Sequence, residues 1–279
     1  MKHISEIQIR DPFIVPENGK YFMFGTTDPD IWNAEGHGFD VYVTEDLENF
    51  IGPVNVFSKS DDFWGEKNFW APEVHKYNGR YYMFATFYGN GKRGSQILAS
   101  DTVDGKYKPH SEGLITPENW FSLDATFYVE NGVPYTVFCH EWIDAVDGEI
   151  VLQRLSPDLK RPEGEPEVLF RATDAGWPDR ISGDKHSGYV TDGPFIYKKS
   201  NELIMLWSSF YKGKYAITAA RSENGIKGPW KQEKTPLFWD DCGHGMLFRT
   251  YGGKLMLSVH SPNKSPYERA CFRDVTDKL

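Results

Sequence analysis

At 279 residues the chain has room for one large all-β domain or two ordinary ones, and its 15% aromatic and 25% charged residues suit a packed core and not a disordered chain. A net charge of −9 argues against a general nucleic-acid or anionic-membrane surface, and no apolar run is long enough to span a bilayer. The cysteines Cys139, Cys242 and Cys271 are too sparse, and odd in number, to imply a disulfide framework. The opening "MKHISEIQIRD" lacks an apolar signal core, which fits a cytoplasmic protein or a secreted or periplasmic one whose signal peptide is absent from this chain.

In chain order, one unit recurs. An apolar strand, "DPFIVP" from Asp11, leads through an Asn-Gly turn into "ENGKYFMFGTT" from Glu17, then "FDVYVT" from Phe39 and "GPVNVFS" from Gly52. The second unit reads "APEVHKY" from Ala71, "YNGRYYMFATF" from Tyr77, "SQILAS" from Ser95 and "GLIT" from Gly113. The third reads "DATFYV" from Asp124, "ENGVPYTVFCHEW" from Glu130, "IVLQRL" from Ile150 and "PEVLF" from Pro166. The fourth reads "DGPFIY" from Asp192, "KSNELIMLWSSF" from Lys199, "YAITAAR" from Tyr215 and "TPLF" from Thr235; the fifth opens with "GHGMLFRT" from Gly243 and "YGGKLMLSVHS" from Tyr251. Asn-Gly and Gly-Gly between apolar runs are hairpin signals, and helical periodicity is nearly absent.

Five units of three or four antiparallel strands predict an all-β chain folded as a five-bladed β-propeller, a single domain over residues 1–279, which hides its sheet edges by radial repetition. A β-sandwich accommodates five hairpins of one pattern poorly. The tight turns then fall on the bottom. The starts of the innermost strands, the ends of the second strands and the long connections meet on top, where scaffold-held loops concentrate function.

Asp11, Asp124 and Asp192 each stand where an innermost strand begins. Burying an unpaired carboxylate is costly, so these acids are expected to face a shared, wet central funnel. Converging carboxylates suit two chemistries: holding a hard cation such as Ca²⁺, or dividing acid and base work in glycoside hydrolysis. Close carboxylates disfavour one another's ionisation, so one can remain protonated near neutral pH. Aromatic candidates ring the funnel at Trp70, Phe87, Tyr88, Phe121, Trp142 and Phe210. Aromatics with acids suit a carbohydrate partner, whose rings have apolar faces and polar edges. No redox or nucleotide cofactor is implied, and the chain is expected to be a monomer.

At "RDPFIV" (Arg10–Val15), "WAPEV" (Trp70–Val74), "LDATFYV" (Leu123–Val129), "DGPF" (Asp192–Phe195) and "GHGMLF" (Gly243–Phe248), in that order and at blade spacing, the chain resembles glycoside hydrolase family 43 over essentially its whole length. The resemblance implies an inverting glycosidase acting on arabinose-, xylose- or galactose-containing plant glycans. It implies a general base at Asp11, an acid-tuning and orienting carboxylate at Asp124, and an axial histidine at His244 that lies over a central water or Ca²⁺. The fourth motif departs from the family pattern, which has glutamate where this chain has Asp192. Aspartate is one methylene shorter, so its carboxyl is set back by about 1.5 Å, a scale that matters to catalysis. Three readings follow: Asp192 is the acid with a more deeply seated substrate; Glu141, in "CHEW" on the same rim, has taken over; or the acid is lost and the propeller binds carbohydrate without cleaving it. The first is preferred.

Plainer roles exist for several of these residues. Asp11 before Pro12 suits a turn cap, and Trp70 suits simple blade packing. Arg221 on a third strand reaches inward to a substrate or an acid, or forms surface pairs. His140 and His260 end second strands on the same rim, where each suits a hydrogen-bonding neighbour better than a metal ligand, and His140 is expected to bind substrate. The Cys139–His140 and Cys242–His244 spacings lack a paired Cys-x-x-Cys framework, so buried thiols are expected instead of zinc.

Overall fold

Asn18-Gly19, Asn78-Gly79 and Asn131-Gly132 hold both central residues at positive φ, the type I′ turn whose twist matches that of the flanking strands. Each closes a two-residue hairpin, pairing Glu17 with Lys20, Tyr77 with Arg80 and Glu130 with Val133. The computed structural model describes residues 1–183 and 185–279. Its sheets form the five blades of a β-propeller.

Blade one runs outward from Arg10–Glu17 through Lys20–Thr26 and Gly38–Thr44 to Asn49–Ser58, with Lys2–His3 added at its outer edge. Blade two comprises Lys67–Tyr77, Arg80–Gly89, Lys92–Ser100 and Lys108–Pro109; blade three comprises Ser122–Glu130, Val133–His140, Glu149–Leu155 and Pro162–Arg171. Blade four comprises Asp192–Lys199, Glu202–Tyr211, Lys214–Ser222 and Lys231–Gln232, and blade five has the strands Gly243–Arg249, Leu255–Ser261 and Arg269–Asp274. Between blades three and four a small ribbon pairs Ile181–Ser182 with Ser187–Gly188.

Two outer strands differ from the expected ones. In blade two the strand ends at Pro109 and does not start at Gly113. Pro109 brings no N–H, His110 and Ser111 both turn their amides onto the Ile97 carbonyl, and Ser111 Oγ takes the Ile97 amide, so the ladder stops there. In blade four the paired residues are Lys231–Gln232, and Phe238 of the expected "TPLF" makes an isolated bridge to Ile217.

The core lies between blades. Apolar side chains of blades two and three, among them Phe84, Ile97, Phe127 and Phe138, form one cluster, and Trp207, Met205 and Ile150 anchor another between blades three and four. Among the described residues no helix is long and apolar enough to cross a membrane.

Among the described residues no strand is shared between blades five and one; side chains, with a backbone bond from Ile9 N to the Glu268 carbonyl at 3.2 Å, close the ring. Ser258 Oγ donates to the Pro12 carbonyl at 2.7 Å, and Arg269 Nε donates to the Ser5 carbonyl at 2.8 Å. Arg10 Nη1 meets Glu268 Oε1 at 2.7 Å, with the Glu268 side chain fully buried. Removing one partner of a buried ion pair strands the other in low dielectric. Glu268→Ala should therefore lower unfolding stability by about 3 kcal/mol, the low end for such losses, because Arg10 retains some exposure. Urea unfolding monitored by tryptophan fluorescence should show a lower midpoint at unchanged slope; an unchanged midpoint would mean that this pair does not hold the seam.

Candidate active site

Each innermost strand begins with the same deformation. Asp11, Ala71, Asp124, Gly193 and His244 have φ of 53°, 45°, 58°, 52° and 48°. The strand register slips just after each of them, the mark of a β-bulge. Left-handed backbone costs a non-glycine residue about 1–2 kcal/mol, so something must hold it. The amide of each of these residues is caught near the axis. Asp11 N donates to His260 Nδ1 (3.2 Å), Ala71 N to Thr26 Oγ1 (2.8 Å), Asp124 N to Thr86 Oγ1 (2.9 Å) and His244 N to Ser208 Oγ (2.8 Å). These four acceptors lie on second strands of the neighbouring blade. In blade three the matching position is Cys139, paired with Leu123, and a thiol is a weak acceptor. The Gly193 amide turns instead to Asp124 Oδ2, at 3.0 Å.

This geometry brings Asp11, Asp124 and Asp192 to one cavity of about 460 Å³ at the top of the axis. They do not occupy equivalent positions. Asp11 and Asp124 are the left-handed residues of their blades, whereas Asp192 lies one residue earlier, in register with Arg10, Trp70 and Leu123. Gly193 takes the axial place in blade four, where a Cβ would come within 2.8 Å of the His244 ring.

His244 Nδ1 lies 3.2 Å from Asp11 Oδ1 and 3.5 Å from Asp124 Oδ2. Asp11 Oδ2 also accepts from Thr26 Oγ1 at 2.7 Å. His260 accepts the Asp11 amide on Nδ1, so its proton sits on Nε2, facing Asn263 Oδ1 at 3.2 Å. Burial opposes ionisation of Asp11, but His244, and after it Arg10, help outweigh it and hold the carboxyl well below the usual range. Asp192 is shifted the other way. Burial, and then the negative charge of Asp124, push it up to about 7, against the pull of His244 and of the Tyr215 hydroxyl. Burial and the Asp11 charge push Asp124 up as well, the Gly193 amide opposing. Asp124 and Asp192 form a coupled pair whose second ionisation is resisted by the first.

Of the other expected residues, Glu141, Trp70, Trp142 and Phe210 line the cavity. Glu141 faces Arg93, whose Nη1 donates to both carboxylate oxygens at 2.5 and 2.6 Å. Burial pushes Glu141 up and the Arg93 charge draws it back. Trp70 is anchored by Nε1 donating to the Ile31 carbonyl at 2.9 Å, and the Arg93 guanidinium lies 4.6 Å above its ring.

Five expected contacts are elsewhere. Phe87 is fully buried between blades, against Phe63 and Phe69, because strand alternation gives the axial side to its neighbour Thr86. Arg221 is paired with Glu202 and Glu233, both at 2.9 Å, four strand positions or more from the rim. His140 lies behind the cavity wall, held at 2.9 Å by both Asp144 and Glu149 and stacked on Trp120 at 4.1 Å. Tyr88 and Phe121 also lie outside the lining.

Blade motifs do not single out Arg10, Arg93, Trp32 and Tyr215, all of which line the cavity. A signal for two of them is present in the sequence. Asn90-Gly91 and Lys212-Gly213 have positive φ at both residues and form tight hairpins on the top face, where only long connections were expected. Arg93 and Tyr215 each stand two residues beyond the glycine.

Among the described residues no group of three or more His, Cys, Asp or Glu is arranged to hold a metal ion. The two axial carboxylates already face His244 Nδ1. All three cysteines are free thiols, with Cys139 and Cys242 buried.

The family model described as "Glycosyl hydrolases family 43" matches residues 2–274. An endo-arabinase from Bacteroides thetaiotaomicron has a crystal structure that superposes with a TM-score of 0.91 at 41% identity, over 99% of this chain and 97% of that one. An extracellular endo-alpha-(1->5)-L-arabinanase 2 of Bacillus subtilis is 26% identical over 280 residues, 90% of this chain and 57% of that protein. An alpha-L-arabinofuranosidase 43 of Humicola insolens is 26% identical over 250 residues, 83% of this chain and 48% of that protein. The chain thus spans about half the length of these two curated relatives. With the family match covering nearly every residue, the chain belongs to glycosyl hydrolase family 43.

Proposed function

We propose that this chain is an inverting glycoside hydrolase that cleaves arabinose-containing plant glycans. The observation that carries the reading is a pair of carboxyls in one cavity pushed in opposite directions, Asp11 well below the usual range and Asp192 up to about 7. That division suits one group to accept a proton and the other to give one. Asp11 takes a proton from a water, whose oxygen attacks the anomeric carbon. The glycosidic C–O bond breaks, its electron pair stays on the leaving oxygen, and that oxygen takes the Asp192 proton. Asp124 orients and tunes the acid through its charge and through the Gly193 amide it shares with blade four. Trp70, Trp142 and Phe210 offer apolar faces to the sugar rings. The names of the relatives favour arabinan over xylan or galactan. A propeller that binds without cleaving would need the acid gone; a partly buried carboxyl raised to about 7 supports an acid in place.

Leaving-group dependence identifies the acid. Asp192→Asn should slow hydrolysis of arabinan about 10²-fold or more while sparing much of the rate on a nitrophenyl arabinoside, whose leaving group needs little protonation. Asp11→Asn should damage both substrates alike. Glu141, tied to Arg93 through both oxygens, should show no such selectivity as Glu141→Gln; selective loss there instead would transfer the acid role to it.

The pH profile follows from the same carboxyls. Asp192 must be protonated, so kcat/KM should fall as pH rises through about 7. Asp11 is depressed, so the acid side should stay flat while the fold persists. Asp124→Asn removes a negative neighbour, eases ionisation of Asp192 and should move the alkaline limb to lower pH. A limb that stays in place would separate Asp124 from the acid.

No step of this mechanism runs through a metal ion. A Ca²⁺ on the axis would take oxygen ligands, and Asp11 and Asp124, which face His244 there, would be the nearest carboxylates. EDTA should leave turnover and melting temperature unchanged. A loss reversed by Ca²⁺ would instead establish a cation site completed by water around His244.

A further inference from the structure

Tyr215 is almost completely buried at the cavity wall, and the mechanism above gives it no part. Its hydroxyl lies 2.9 Å from Asp192 Oδ2, its hydrogen-bond partner among the described residues. The ring arrives from the third strand of blade four, two strands away from Asp192, which is paired with Ser208 of the second strand. It fits because Gly243 has no side chain: a Cβ there would stand 2.4 Å from Tyr215 Cε1. Phe210 packs on the ring at 5.3 Å and His260 stacks on it at 5.6 Å with 23° between the planes. Two blades therefore clamp the ring in a single position.

That placement determines which oxygen of Asp192 carries the proton. A buried O–H must donate to something. Burial and the charges of Asp192, Asp11 and Asp124 all resist ionisation of the phenol, so the proton stays on Tyr215. If Asp192 were protonated on Oδ2 and donated to the phenol oxygen, the tyrosine proton would be stranded. With Tyr215 donating, Oδ2 is the acceptor and the acid proton sits on Oδ1. We propose that Tyr215 is the positioning residue of the acid: its hydroxyl pins Asp192 Oδ2 so that Oδ1 carries the proton and presents it to the leaving oxygen. The inference rests on the reading of Asp192 as the acid.

Tyr215→Phe tests it, since the ring and its packing remain and only the oxygen goes. Turnover of arabinan should fall about tenfold, the scale of one lost hydrogen bond, with KM little changed. The nitrophenyl arabinoside should be hydrolysed nearly as fast as by the unmodified chain. The donated hydrogen bond favours the ionised acid, so its loss should move the alkaline limb of kcat/KM to higher pH. In an Asp192→Asn background the same change should cost nothing further on arabinan, because the proton that Tyr215 places is already absent. An unmoved limb with equal losses on both substrates, or full additivity with Asp192→Asn, overturns the role of Tyr215 and leaves the acid assignment standing. Absence of selective loss in Asp192→Asn itself overturns the acid assignment, and the positioning role with it.

Discussion

The site depends on a backbone choice made five times, a left-handed residue at the start of each innermost strand. That conformation is unfavourable for aspartate, alanine and histidine, and hydrogen bonds between blades sustain it. Each amide reaches an acceptor that belongs to a neighbour or lies beside one, so no blade can adopt the geometry alone. Strain at a functional site is commonly held by the structure around it. Here the holder is the ring itself, which ties formation of the acidic cluster to closure of the propeller.

A departure from that pattern has chemical consequences. Thr26, Thr86, Ser208 and His260 supply side-chain acceptors, whereas Cys139 cannot serve as well. The Gly193 amide therefore binds Asp124, which draws that carboxylate across the blade boundary, next to the residue that precedes Gly193, Asp192. A buried thiol at one strand end thus helps explain why two carboxyls from different blades share a field. His244, facing Asp11 and Asp124 but not tied to Asp192, adds to the asymmetry. Its charge leads the groups that draw Asp11 toward ionisation, whereas at Asp192 burial and the Asp124 charge outweigh it.

The cavity wall is built differently. Arg93 and Tyr215 come from top-face hairpins on opposite sides of the axis, and each grips one acid, Glu141 and Asp192 respectively. The grips differ in kind. A guanidinium holding both oxygens favours a permanent carboxylate, whereas a neutral phenol holding one oxygen leaves the other able to carry a proton. The two acids differ in partner, and that difference supports the proposed reading of Glu141 as a held carboxylate and Asp192 as the proton donor.

Much of the architecture was legible in the chain because its causes are local. Asn-Gly turns, period-two apolar runs and their fivefold recurrence dictate hairpins, blades and the end of the axis at which the acids gather. Asp11, Asp124, Asp192, Glu141, Trp70, Trp142, Phe210 and His244 were all placed at the cavity by that logic. Tertiary structure decided what depends on reach across blades. Phe87 went to the core because a bulge and strand alternation gave the axial side to Thr86, and Arg221 found carboxylates on its own blade. Arg93 and Tyr215 came to the site from third strands that a blade-by-blade reading places away from it. The one-residue offset of Asp192 from Asp11 and Asp124 is set by where the left-handed residue falls, and that is determined by an amide partner in the next blade. Periodicity within a strand carries no record of such a partner, because the partner is brought near only when the ring closes.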